Sequence, residues 1–140
     1  MMSAALPADT GNNILIAEDS ATQAQRLRHI LEQHGYRVTM ASNGRMALDL
    51  ARREKPALIL SDVVMPEMTG YELCSSVKTD PELSDIPLIL VTTLSDPQDV
   101  IRGLECRADN FILKPYDADH LLNRVQFVLI NSRMRQGEQP

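Results

Sequence analysis

Short strand-like segments recur five times along this chain, and each is followed by a stretch with helical spacing. Asn13-Ile14-Leu15-Ile16-Ala17, Ala57-Leu58-Ile59-Leu60-Ser61 and Leu88-Ile89-Leu90-Val91-Thr92 are nearly unbroken apolar runs, as expected of strands covered on both faces. Arg37 to Ala41 alternates, and Asn110 to Leu113 is the last strand-like piece. Between them, apolar residues fall at steps of three and four. Ala24, Leu27, Ile30 and Leu31 mark a helix from about Ser20 to His34, capped by Ser20 or Asp19 and ended by Gly35. Asn43-Gly44 turns the chain into a second helix carrying Met46, Ala47, Leu50 and Ala51, closed before Pro56. Tyr71 to Lys78 carries Leu73, Cys74 and Val77; Asp96 caps a helix over Val100, Ile101 and Leu104. The last helix runs from about Asp117 to Arg133, with Leu121, Leu122, Val125, Val128 and Leu129 as its stripe.

Strands that alternate with helices fold as right-handed βαβ crossovers, which gives an α/β protein with helices on both faces of a parallel sheet. Five strands suit the flavodoxin-like order 2-1-3-4-5. The 140 residues fit one domain with a real core. Residues 1–12 read as a flexible N-terminal tail, 13–131 as the folded unit, and 132–140 as a C-terminal tail or linker.

The net charge of -5 argues against broad nucleic-acid binding, and no residues remain for a DNA-recognition module. No run approaches the ~20 apolar residues of a membrane span, and the polar start lacks the pattern of a secretory signal. Cys74 and Cys106 have neither CxxC spacing nor a neighbouring His cluster, so they read as buried, reduced thiols of a cytoplasmic protein. His29, His34 and His120 lack ligand spacing and read as solvated. Arg52, Arg53 and Lys55 close a helix and favour its dipole.

In open parallel sheets, ligands bind beyond the carboxyl ends of the strands, at the point where strand order reverses. The residues there are Glu18 and Asp19, Asp62, Thr92 and Thr93, and Lys114. In the order 2-1-3-4-5 the first and third strands are neighbours, so three carboxylates converge. Crowded carboxylates resist ionising unless a cation is present, and oxygen-only ligation with room for phosphate suits Mg²⁺, with Mn²⁺ as a substitute. Lys114 adds a compact positive charge and Thr92 a hydroxyl donor, a set suited to phosphoryl oxygens. One carboxylate facing an incoming phosphoryl group can act as its nucleophile.

The ordered set Glu18-Asp19-Ser20, Asp62-Val63-Val64-Met65-Pro66, Thr92 and Lys114-Pro115 resembles the response-regulator receiver (CheY-like) family of two-component signalling over about Asn13 to Ile130. The resemblance implies that 13–131 is a receiver domain, a signalling phosphoacceptor rather than an enzyme. Asp62 would take phosphate from a histidine-kinase phosphohistidine. Asp19, Glu18, Asp62 and the Val64 backbone carbonyl would hold Mg²⁺. Thr92 and Lys114 would contact the phosphoryl group, and the Lys114–Pro115 bond would be cis. Phe111 would be the aromatic switch, reshaping the face of the fourth helix, fifth strand and fifth helix; as a strand residue it is also suited to plain core packing. The implied partners are a sensor histidine kinase or phosphotransfer domain and a downstream effector or fused domain, as in a hybrid kinase, with homodimerisation on phosphorylation.

Three positions depart from the family pattern. Arg107 stands where glycine is common, so the turn there is expected to differ. Thr93 carries an extra methyl beside the site. Val64 and Leu94 flank it with apolar side chains that cannot position water, which implies slow loss of phosphate. Two other functions compete. A Mg²⁺-dependent aspartyl-phosphate phosphatase needs a second Asp two residues after the nucleophile, and position 64 is Val. A pseudo-receiver scaffold needs none of the phosphorylation residues, yet all are present. A flavodoxin phosphate loop and a P-loop are both absent.

Overall fold

A computed structural model describes residues 12–93 and 96–135. Ten elements alternate without exception: β1 (Asn13–Ala17), α1 (Ala21–Glu32), β2 (Arg37–Ala41), α2 (Gly44–Glu54), β3 (Leu58–Asp62), α3 (Gly70–Thr79), β4 (Leu88–Thr92), α4 (Pro97–Glu105), β5 (Asn110–Leu113) and α5 (Ala118–Arg135). The strands form one parallel sheet in the order β2-β1-β3-β4-β5. This is the α/β, doubly covered architecture that the alternation predicts.

Successive strand side chains point to opposite faces, so the sheet has two cores. Leu15, Ala17, Ile59 and Leu90 join the buried faces of α2 and α3. Ile14, Ile16, Leu60, Val91 and Ile112 join α1 and α5, where the predicted stripes of both helices are buried. β4 is buried along its whole length, as its apolar sequence requires.

Local signals set the helix starts. Ser20, not Asp19, caps α1 by accepting from the Gln23 N–H, which leaves the Asp19 carboxylate free of that duty. Asn43 caps α2 through its bond from the Met46 N–H, so the expected Asn-Gly turn is a helix start instead. Thr69 and Glu72 form a reciprocal capping box that opens α3 at Gly70, one residue before the periodicity shows it.

Three expectations are corrected. Val100, Ile101 and Leu104 are exposed at 41%, 47% and 65%, and Gly103 is the buried residue of α4. Apolar spacing there marks a helix but not its inward face. The turn at Arg107 keeps the left-handed conformation that glycine favours, with φ 67°. Its cost for an L-residue, about 1–2 kcal/mol, is offset by the Arg107 guanidinium donating to the Lys78 carbonyl at 2.7 Å. α5 runs to Arg135, two residues beyond the end its periodicity marks; Ser132 is buried and Arg135 Nη2 lies 3.4 Å from Asp109 Oδ1. The remaining tail segments, 1–11 and 136–140, lie outside the described residues.

Both cysteines are free and buried. The Cys74 thiol donates to the Cys106 carbonyl at 3.1 Å, and the Cys106 thiol to the Gly103 carbonyl. Its Cys106 neighbour and then burial push the Cys74 thiol upward, as for an inert core residue. His29, His34 and His120 are exposed. Among the described residues no helix is long and apolar enough to cross a membrane.

Candidate functional site

Strand register assembles the site. Ala17 pairs with Ser61, so the next residues, Glu18 and Asp62, stand at the same level on neighbouring strands. Asp62 pairs with Val91 and Thr92 with Leu113, which places Thr92 one step and Lys114 two steps further out. The sheet thus presents two carboxylates, a hydroxyl and an ammonium as a rising series, with Asp19 beside them in the β1–α1 connection.

The three acids converge as predicted. One carboxylate oxygen from each of Glu18, Asp19 and Asp62 lies within 4.8 Å of the others. Glu18 is buried, Asp62 half-buried and Asp19 exposed. Lys114 Nζ lies 3.1 Å from Asp62 Oδ1 and 3.8 Å from Glu18 Oε1. Asp62 Oδ1 also accepts from the Val63 N–H at 3.0 Å, and Glu18 Oε2 from the Ser20 N–H at 3.1 Å.

The Glu18 carboxyl is pushed up to about 7, first by burial, then by the neighbouring Asp62 and Asp19 charges. The Ser20 N–H and Lys114 oppose this only in part. The part of this shift that comes from the Asp62 and Asp19 charges is repulsion among the acids, which a cation bound between them would relieve. Three carboxylates meeting at one point are hard oxygen donors, which fits a divalent ion such as Mg²⁺.

Thr92 is buried at the end of β4, where its carbonyl accepts from the Lys114 N–H at 2.8 Å. The Lys114–Pro115 bond is cis. Phe111 is half-buried, and its ring lies against Gly103 of α4, where an added Cβ would overlap it. Val64 is 78% exposed in the connection after β3 and Thr93 is exposed just after β4; Leu94 lies outside the described residues.

Two supports of the site come from residues outside the predicted set. Gly70 packs α3 against the backbone of Asp62: a Cβ there would overlap the Asp62 carbonyl oxygen, and the Gly70 N–H donates to the Val63 carbonyl at 2.8 Å. A Thr-x-x-Glu capping signal around it was the clue available. Gln23, on α1, accepts from Lys114 Nζ at 2.9 Å, and no local sequence signal foretells a contact across 91 residues.

The family model for the response regulator receiver domain matches residues 14–126. The chain belongs to the response regulator receiver family. This receiver domain is 40% identical over 116 residues to Protein PilH of Pseudomonas aeruginosa, covering 83% of this chain and 96% of that protein. It also resembles the signal receiver domain of a signal transduction histidine kinase from Syntrophus aciditrophicus, at 51% identity and TM-score 0.82, over 86% of this chain and 91% of that one. A receiver domain of a P. aeruginosa sensor histidine kinase, solved with a magnesium ion coordinated in its active-site cleft, superposes with TM-score 0.79 at 25% identity, over 86% and 98% of the two chains. The chain spans only 9% of histidine kinase P4 of Formosa agariphila, to which it is 42% identical over 124 residues. Sequences like this one thus make up nearly the whole of one relative and a small part of another.

Proposed function

We propose that this receiver domain, over residues 13–131, is a Mg²⁺-dependent phosphoacceptor whose acceptor is Asp62. The observation that carries the reading is the meeting of three carboxylates within 4.8 Å with an ammonium 3.1 Å from one of them. The magnesium-bearing P. aeruginosa receiver, alike in fold, supports the choice of metal.

Glu18, Asp19, Asp62 and the Val64 backbone carbonyl would hold the ion. When bound, it would neutralise the acids and the charge on a transferring phosphoryl group. The remaining chemistry belongs to the chain. A lone pair on an Asp62 carboxylate oxygen attacks phosphorus; the P–N bond of a phosphohistidine breaks, and its electron pair returns to the imidazole. The product is an acyl phosphate and a free histidine, so no water is consumed. Lys114 stabilises the phosphoryl oxygens by charge, and Thr92 by a hydroxyl bond. Drawing Thr92 toward the phosphoryl group empties space behind β4, and Phe111 relays that change to α4, β5 and α5.

The phosphodonor is a sensor histidine kinase or phosphotransfer domain, and the readout is an effector or a domain fused to this one. The phosphatase alternative lacks its acid at position 64, where the exposed Val64 stands. Acetyl phosphate with Mg²⁺, followed by intact-mass measurement, tests the assignment. The wild type gains one phosphoryl group, whereas Asp62→Asn gains none. Equal uptake by both proteins overturns it.

A further inference from the structure

The segment after β5 that carries Lys114 is gripped by α1 at two points. Lys114 Nζ donates to Gln23 Oε1 at 2.9 Å, closer than its 3.1 Å approach to Asp62 Oδ1. Two residues on, the Tyr116 carbonyl accepts from Arg26 Nη2 at 3.2 Å, and the Arg26 guanidinium sits 4.8 Å from the centre of the Tyr116 ring. Gln23 and Arg26 are three positions apart, so they stand side by side on one flank of the helix. The cap bond from the Gln23 N–H to Ser20 Oγ fixes the backbone from which Gln23 reaches.

A lysine ammonium is a compact point charge on a flexible stem, so its neighbours decide where it rests. The three acids attract Lys114 by charge, but that pull has little direction and weakens once a cation shares the site. Gln23 differs because it is neutral. Its carbonyl oxygen takes one of the three N–H donors without adding charge to the cluster.

We infer that Gln23 is a positioning residue, whose carboxamide aims the Lys114 ammonium at the place where a phosphoryl group meets Asp62. The grip of Arg26 on Tyr116, from the same flank of α1, holds the segment two residues further on. The consequence for phosphorylation rests on the phosphoacceptor reading, whereas the effect on Lys114 itself does not.

The test compares full-length wild type with Gln23→Leu and Gln23→Glu. Lys114 is one of three lysines, so its ε-methylene signals can be followed individually by ¹³C NMR. Gln23→Leu shifts those signals toward free-lysine values, and Gln23→Glu, which retains an acceptor at the same reach, keeps them displaced. Gln23→Leu also slows acetyl-phosphate labelling about three- to tenfold, the rate equivalent of one ordinary hydrogen bond. Its Mg²⁺ affinity by NMR titration stays within about twofold of wild type, since a twofold change is under ~0.5 kcal/mol. Unchanged Lys114 signals in Gln23→Leu overturn the inference. So does a loss of Mg²⁺ affinity as large as the loss of rate, because the effect would then run through the acids. If wild type labels and Gln23→Leu labels equally fast, this inference fails and the phosphoacceptor reading stands. If wild type takes no phosphate, that reading falls and the catalytic consequence with it.

Discussion

Burial sets Glu18 against its own charge. Its carboxyl is held up at about 7 against an ordinary 4.5, so the folded protein binds this proton more tightly than the unfolded chain does. Folding stability from this group is therefore greatest below about pH 4.5. It falls as the pH rises toward 7, and the full penalty applies above that. Metal-free Glu18→Gln is accordingly more stable than wild type at pH 8, by on the order of 2 kcal/mol. The gap closes between about pH 7 and 4.5, as urea unfolding at a series of pH values will show. A gap that stays constant with pH would mean the buried acid is not the cause. Saturating Mg²⁺ is expected to remove the wild-type penalty, because a ligand that binds only the folded state stabilises it.

At the scale of elements, the sequence made the strands legible because a strand buried on both faces has to be apolar throughout. The site followed from them, since Glu18, Asp62, Thr92 and Lys114 each stand at or just past a strand end. α4 shows where periodicity stops informing: Val100, Ile101 and Leu104 have helical spacing, yet they face outward at the side of edge strand β5. What faces inward is Gly103, whose missing side chain no hydrophobic pattern registers. Arg107 teaches the complementary lesson. Sequence gives the cost of a left-handed arginine, but not the Lys78 carbonyl, 29 residues away, that offsets it. The Gly103 seat makes a prediction for its element. Gly103→Ala displaces the Phe111 ring from α4, at a cost of about 1–3 kcal/mol. The chain has two phenylalanines, so loss of the contacts between the Phe111 ring and residue 103 can be read from nuclear Overhauser spectra. A ring that stays in place would overturn the seat.

Across the whole molecule, the end of the sheet opposite the acids is tied by a second charged network. Lys78 Nζ lies 2.7 Å from Asp109 Oδ2 with both side chains largely buried, and it also donates to the Ile86 carbonyl. Asp109 accepts from the Leu88 N–H and pairs with Arg135 at the end of α5. Removing one member of a buried pair strands the other, so Asp109→Ala costs about 3 kcal/mol. Arg135→Ala, which removes an exposed partner, costs under ~1 kcal/mol. Urea denaturation of both variants checks the difference; equal costs would show that the pair is not what ties α3 to β5.

The register that builds the site has a further consequence for how the chain matures. Every pair of neighbouring strands is parallel, so each is joined only after a crossover, and each closes a long loop. Asp62 and Lys114 meet across β4, and Glu18 meets Lys114 only when β1, β3, β4 and β5 are all in place. The acids and the lysine are therefore brought together only by the complete sheet. The charge cluster is thus a property of the finished sheet, and no single pair of neighbouring strands contains all of it.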